Sequence, residues 1–233
     1  MDRLTRKELK TDKFALEVEH GVEYVQEHKR QVFKYAAIAA AVLVLGVGIF
    51  FYRQYQNGVR EDALREALTA QDAVVGGPAK EGQKSYATEA AKAEAVKKSL
   101  GEVATKYSGT DQGEVARYYM GTADDDKGDV ASAEKSFKEV ADSSNANYAS
   151  LAKLALAPIY KSQGKTADGE KQLRSVVDSP SIFVSKEEAT IILAQYMQSY
   201  NPVDARKLLE PLRTDRSVIS RAALAALAEI PQK

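Results

Sequence analysis

Carboxylates are the side chains in this sequence most able to do chemistry. Asp124, Asp125 and Asp126 stand in a row, with Asp129 shortly after. Such a set could bind a divalent cation. A calcium loop, however, needs alternating oxygen donors, a central Gly and a distal Glu, and this run lacks that order. It fits better as a solvated helix end followed by an N-cap for the next helix. Glu187 and Glu188 fit the first turn of a helix, where they complement its dipole. His20 and His28 are the only histidines. They lie two turns apart rather than at i, i+4, so both are expected in solvent. There is no Cys. That excludes disulfides, thiolate zinc sites, cysteine nucleophiles and the lipid-bearing Cys of a bacterial lipoprotein. The sequence has no Gly-rich phosphate loop, no G-x-S-x-G elbow and no metal-binding His motif. The expectation is a protein that is not an enzyme and holds no cofactor or metal.

Composition narrows the class further. Thirty-three Lys and Arg balance 33 Asp and Glu over 233 residues, for a net charge of zero. A nucleic-acid binder usually shows a basic surplus. Hydrophobic residues at 44% and charged residues at 28% are ordinary for a folded chain and exclude wholesale disorder.

The elements that would position any functional side chain are helices. Apolar residues recur at 3–4 spacing through most of the sequence, and no alternating strand pattern survives. Clusters of Gly, Pro, Ser and Asn at 76–82, 108–113, 142–147, 164–169, 178–181 and 200–202 break the helices. Residues 53–75 and 86–107 each read as one helix. A period of 36 residues then appears. Met120, Leu156 and Ile192 form one column, and Gly121, Ala157 and Leu193 the next. Ala133, Gly169 and Ala205 form a third, Phe137, Leu173 and Leu209 a fourth, and Val140, Val176 and Leu212 a fifth. Each unit is a helix, a short turn and a second helix. Small residues let paired helices approach, and the larger ones fill the space between units. Turn chemistry agrees: Gly128 and Gly164 suit helix C′ positions, and Pro202 suits N1. Residues 86–107 read as the second helix of an earlier, degenerate unit. Residues 216–230 read as a terminal capping helix with Arg221 and Glu229 toward solvent.

One segment lies outside this pattern. Tyr35 to Tyr52 (YAAIAAAVLVLGVGIFFY) is 18 residues without a charge, close to the ~20 that cross a bilayer as a helix. Phe33, Tyr35, Phe50, Phe51 and Tyr52 form aromatic belts, and Lys29, Arg30, Lys34 and Arg53 flank the run. The region before it carries acids, and no small-x-small cleavage pattern follows, so an uncleaved anchor is expected. Within the run, Ala36/Ala40 and Ala37/Ala41 are small-x-x-x-small pairs. Together with Gly46 and Gly48 they are candidates for packing against another membrane helix. Eight Lys and Arg precede the run, which places the N-terminus in the cytoplasm. Phe14, Val18, Val22, Val25 and Val32 form one stripe of an amphipathic helix before the span. The expected division is a cytoplasmic tail at 1–34, an anchor at 35–52 in the inner membrane, and an extracytoplasmic domain at 53–233.

The 36-residue units resemble tetratricopeptide repeats. Gly121, Gly128, Ala133 and Phe137 occupy the small and aromatic positions of that family in the first unit, and Leu156, Tyr160 and Gly164 do so in the second. Arg117 and Lys153 replace the large aromatic early in the first helix, and Gly169 replaces an Ala. The fold implied is an all-α solenoid whose first helices line a groove. By register, that groove includes Tyr118, Thr122 and Asp125, then Leu154, Pro158 and Lys161, then Thr190, Ala194 and Met197. Of these, Tyr118, Thr122, Asp125, Leu154, Lys161 and Met197 are the candidate protein-binding residues. Pro158 is expected to kink its helix. The layout of tail, anchor and helical units also resembles the YfgM-like ancillary subunit of the SecYEG translocon. That resemblance implies periplasmic placement, with the translocon, periplasmic chaperones and exported chains as partners besides the bilayer. The sequence also allows a scaffold for envelope assembly or cell division, and a self-assembling homo-oligomer.

Overall fold

The computed structural model describes residues 28–80, 82–214 and 218–230. The amphipathic stripe from Phe14 to Val25 and His20 lie outside the described residues. The chain divides into two compact units, Met1–Gly58 and Val59–Lys233.

Helix α1 spans Lys29–Thr69, and the boundary between the two units falls within it. The anchor and the helix read from residue 53 are one continuous helix. Residues 53–57 contain no Pro, the Asn57-Gly58 pair lies inside the helix without ending it, and Gly58 costs only about 1 kcal/mol relative to Ala. The helix therefore runs on and ends at Thr69, not residue 75. In the first unit, every side chain from Phe33 to Tyr55 is exposed. The helix is long and apolar enough to cross a membrane, and no part of its most apolar stretch is buried.

In the second unit, Ala67 at the end of α1 and Ala70 just after it join a core with Val96, Leu100 and Ala116. Next come two two-residue strands, β1 (Val74–Val75) and β2 (Ser85–Tyr86), paired in parallel. Sequence patterning missed them because two residues are too short to show alternation. The loop between them closes on itself: the Ser85 hydroxyl donates to the Gly77 carbonyl at 2.8 Å.

Seven helices follow: α2 (Glu89–Lys106), α3 (Asp111–Asp126), α4 (Val130–Ala141), α5 (Ala146–Ser162), α6 (Thr166–Asp178), α7 (Lys186–Met197) and α8 (Pro202–Leu209). A 3₁₀ turn at Glu210–Thr214 leads to α9, Val218–Glu229. From α2 to α8 each helix packs on the next. Pairs α3/α4, α5/α6 and α7/α8 are the three repeat units.

Caps set the boundaries. Thr88, Thr110, Asp129, Asn145, Ser185 and Asn201 each accept a backbone N–H with the side chain, which is worth about 1 kcal/mol per cap. Gly128 and Gly164 end α3 and α5 with φ of +77° and +75°, the left-handed C′ geometry read from the sequence. Pro158 sits on the exposed side of α5, and the helix continues through it to Ser162. Pro158 forfeits one backbone bond without ending the helix.

The period explains the core. Ala133, Gly169 and Ala205 are buried, as are Phe137, Leu173, Leu209, Val140 and Val176. Each large buried side chain contributes about 1.5–3 kcal/mol. The small column permits the contacts. A Cβ on Gly121 would sit 2.9 Å from the Phe137 ring. On Gly169 it would sit 2.1 Å from the Tyr196 hydroxyl, which donates to the Thr166 carbonyl at 3.1 Å. Gly stands in place of the usual Ala at 169 because Tyr196 fills that space.

Gly169→Ala tests this. Ala favours a helix by about 1 kcal/mol, yet overpacking here costs about 1–3 kcal/mol. The expected net result is a lower thermal midpoint by calorimetry. A midpoint that rises would show that Tyr196 does not fill the space.

Candidate protein-binding surface

The aspartate run divides in the structure. Asp125 and Asp126 are exposed, as a helix end should be, and Asp129 caps α4 through Ser132. Asp124 departs from the expectation: it is 2% exposed and accepts from Lys97 Nζ at 2.6 Å. A buried carboxylate must be paired, and Lys97 reaches it from the facing helix. The carboxylate in turn holds the Lys97 ammonium above the usual lysine range. The partner lies 27 residues away, so local sequence could not show the pair. Among the described residues, no group of three or more His, Asp or Glu side chains could hold a metal ion.

The groove residues read from the register separate into three kinds. Tyr118, Thr122 and Asp125 lie on one face of α3, at i, i+4 and i+7. Tyr118 is half-buried, and the Thr122 hydroxyl donates back to the Tyr118 carbonyl at 3.2 Å. Leu154 is half-buried among residues of two core clusters. Lys161 is exposed but engaged: its Nζ donates to the Tyr196 carbonyl at 3.2 Å and lies 5.0 Å from the centroid of that ring. It ties α5 to α7. Met197 corrects the register reading. It is 0% exposed, in the core cluster that contains Ala223 and Ala226 of α9 and Ile230 just after it. Thr190 and Ala194 are buried with it. Helix α9 packs on α7, so the third unit offers no open groove at these positions. Arg221 and Glu229 of α9 face solvent, as expected.

An open surface lies where α2 meets the first unit. A cleft of about 420 Å³ is lined by Lys92 and Val96 of α2, Tyr119, Thr122 and Asp126 of α3, and neighbouring residues. Beside it runs a chain of rings. The centroids of Tyr118 and Tyr148 are 5.4 Å apart, Tyr119 and Tyr148 6.4 Å, and Tyr148 and Phe183 5.5 Å. Burial, aided by the neighbouring Tyr119, pushes the Tyr148 hydroxyl up to about 12. Tyr148 therefore stays a neutral hydroxyl across the physiological range. Register reasoning missed Tyr119, Tyr148 and Phe183. Tyr148 sits in the first turn of α5 and Phe183 in the turn before α7, positions the columns do not include.

Arg117, one of the two replacements of the large aromatic, holds helices together. Arg117 pairs with Glu139 and donates to the Ala104 carbonyl, joining α3 to α4 and α2.

The profile of the family described as tetratricopeptide repeat-like domain matches residues 31–187. The chain belongs to this family. The matched range takes in the apolar part of α1, α2 and the first two repeat units, and ends at the start of α7. No curated protein and no solved structure matches the chain significantly. Tetratricopeptide repeat-like domains are in general protein-interaction modules.

The Lys97–Asp124 pair yields a prediction. Lys97→Ala leaves a buried carboxylate without its partner and should cost about 2 kcal/mol by urea unfolding. Water can reach the half-exposed Lys97 site, which keeps the figure from being larger. Because the folded pKa of Lys97 is raised, its contribution is complete below the ordinary lysine value of about 10.4. It is lost as pH rises through the higher folded value. The difference in stability between wild type and Lys97→Ala should therefore shrink in alkali. A difference that stays flat would assign the cost to packing alone.

Proposed function

We propose that this chain is a single-pass membrane protein whose tetratricopeptide-like units bind other polypeptides outside the cytoplasm. In this reading residues 1–34 are a cytoplasmic tail, 35–52 the anchor and 53–233 the extracytoplasmic domain. The exposed apolar stretch of α1 carries the proposal. Eighteen residues at 1.5 Å each give about 27 Å, close to the ~30 Å hydrocarbon core. Leaving that surface in water would cost about 25 cal/mol for each Å². The Lys and Arg at its ends and the exposed rings at 33, 35, 50, 51 and 52 suit the two bilayer interfaces. Ala36, Ala37, Ala40, Ala41, Gly46 and Gly48 are all exposed on α1, open to a second membrane helix.

The layout, together with membership of the repeat family, supports an adaptor at a protein-export site. Such a protein would hold on to a membrane complex through its anchor and to chaperones or exported chains through its helical units. The SecYEG translocon is the membrane partner that the layout suggests.

Orientation is tested first. The chain has no Cys, so a single Cys at exposed Lys165 gives one reactive position. A membrane-impermeant maleimide should label it in intact spheroplasts. Labelling only after lysis would reverse the topology. Partners are tested by photo-crosslinkers at Ala40 and Tyr118 in intact membranes, followed by mass spectrometry. Translocon subunits at Ala40 with soluble chaperones or exported chains at Tyr118 are expected. Capture of division or cell-wall proteins at both positions would replace the export reading with an envelope scaffold. Capture of the protein alone would replace it with self-assembly.

A further inference from the structure

We propose that a second contact surface lies where the turn at residues 179–185 meets the start of α5, and that it takes neutral, apolar stretches of unfolded polypeptide. The inference rests on the reading of this chain as a polypeptide-binding protein, and it adds a site outside the groove register. Residues 143–152 and 179–185 contain no Asp, Glu, Lys, Arg or His, in a chain that is 28% charged. The fold brings these two neutral segments together. The Ile182 N–H donates to Asn147 Oδ1 at 3.1 Å, and the Phe183 ring meets Tyr148 edge to face at 5.5 Å. The turn is fixed rather than loose: Val184 beside it is 1% exposed, and Ser181 N–H donates to the Val184 carbonyl at 3.0 Å. Its tip nevertheless presents Ile182 at 89% exposure and Phe183 at 48%. A large aliphatic side chain held outward by hydrogen bonds at its own backbone has no packing role in the fold. From that tip the rings of Tyr148, Tyr118 and Tyr119 continue across the two preceding units.

The chemistry of the surface selects its occupant. Aromatic rings supply contact area at small entropic cost. No charge in either segment could offset the desolvation of a charged ligand. A neutral apolar segment loses nothing there, and an unfolded chain exposes such segments. A second copy fits less well. A symmetric dimer needs about 800 Å² of self-complementary surface on each partner, and here one protruding Ile182 would meet another.

The test uses the full chain in lipid nanodiscs and, as probe, fluorescein-labelled lactalbumin held unfolded by reduction and carboxymethylation. Fluorescence anisotropy should show binding by wild type. Ile182→Ser/Phe183→Ser should weaken it at least tenfold, and Ile182→Ser alone, at a side chain that is almost fully exposed, should weaken it severalfold. Leu224→Ser, at another exposed apolar side chain, should leave it unchanged, and circular dichroism should confirm that helix content is kept. Equal affinity for wild type and both Ile182 variants would overturn the proposal. So would an equal loss in Leu224→Ser, which would reveal general stickiness. A wild-type dimer that the double variant dissociates in sedimentation would assign the surface to a second copy instead. If the probe fails to bind wild type, this site is wrong, while crosslinks at Tyr118 still decide the broader reading. Loss of binding on Thr122→Arg with none on Ile182→Ser would leave the groove standing and remove the turn surface.

Discussion

The repeat units depend on how closely their helices can approach. Gly121 lets the Phe137 ring lie where a methyl group would stand, and Gly169 does the same for Tyr196. Each contact joins helices that could not bury their apolar faces alone. Interiors pack to the density of organic crystals, so a single carbon in these places is felt by the neighbouring unit. Stability in such a stack comes from the units and their nearest neighbours. Residues that set the spacing between helices therefore matter more than any one large side chain.

Polar groups take over where the apolar columns fail. The first helix of the first unit lacks the large aromatic usual in its family. Arg117 reaches Glu139 and the Ala104 carbonyl instead. Asp124, in a column otherwise filled by Tyr160 and Tyr196, is paired by Lys97. Lys161 bridges to the third unit through the Tyr196 carbonyl and ring. These contacts are directional, so they fix register as well as contributing energy. They also remove side chains from the pool available to a ligand. Lys161 seemed free in the sequence because its partner belongs to the next unit.

The groove shows where register alone misleads. Thr122 lines the cleft beside α2, and Asp125 is exposed at the end of α3. Met197 carries the same register but is buried among residues that include those of α9. A terminal unit has no following repeat, and something else must cover its face. Which helix does so is not written in the period. Met197 reads as a groove residue in one dimension and is a core residue in three.

The sequence by itself determined the apolar stretch from Tyr35 to Tyr52, the 36-residue columns, and the turns at Gly128, Gly164 and Pro202. Each of these rests on short-range rules: helix length, helix periodicity and local backbone preference. Tertiary structure alone decided the burial of Asp124 and Met197 and the joining of Tyr148 to Phe183. These depend on which surfaces meet after the units stack. A contact between residues 27 or 35 positions apart leaves no periodic trace in the residues between them, because its energy is set by distance in space and not along the chain.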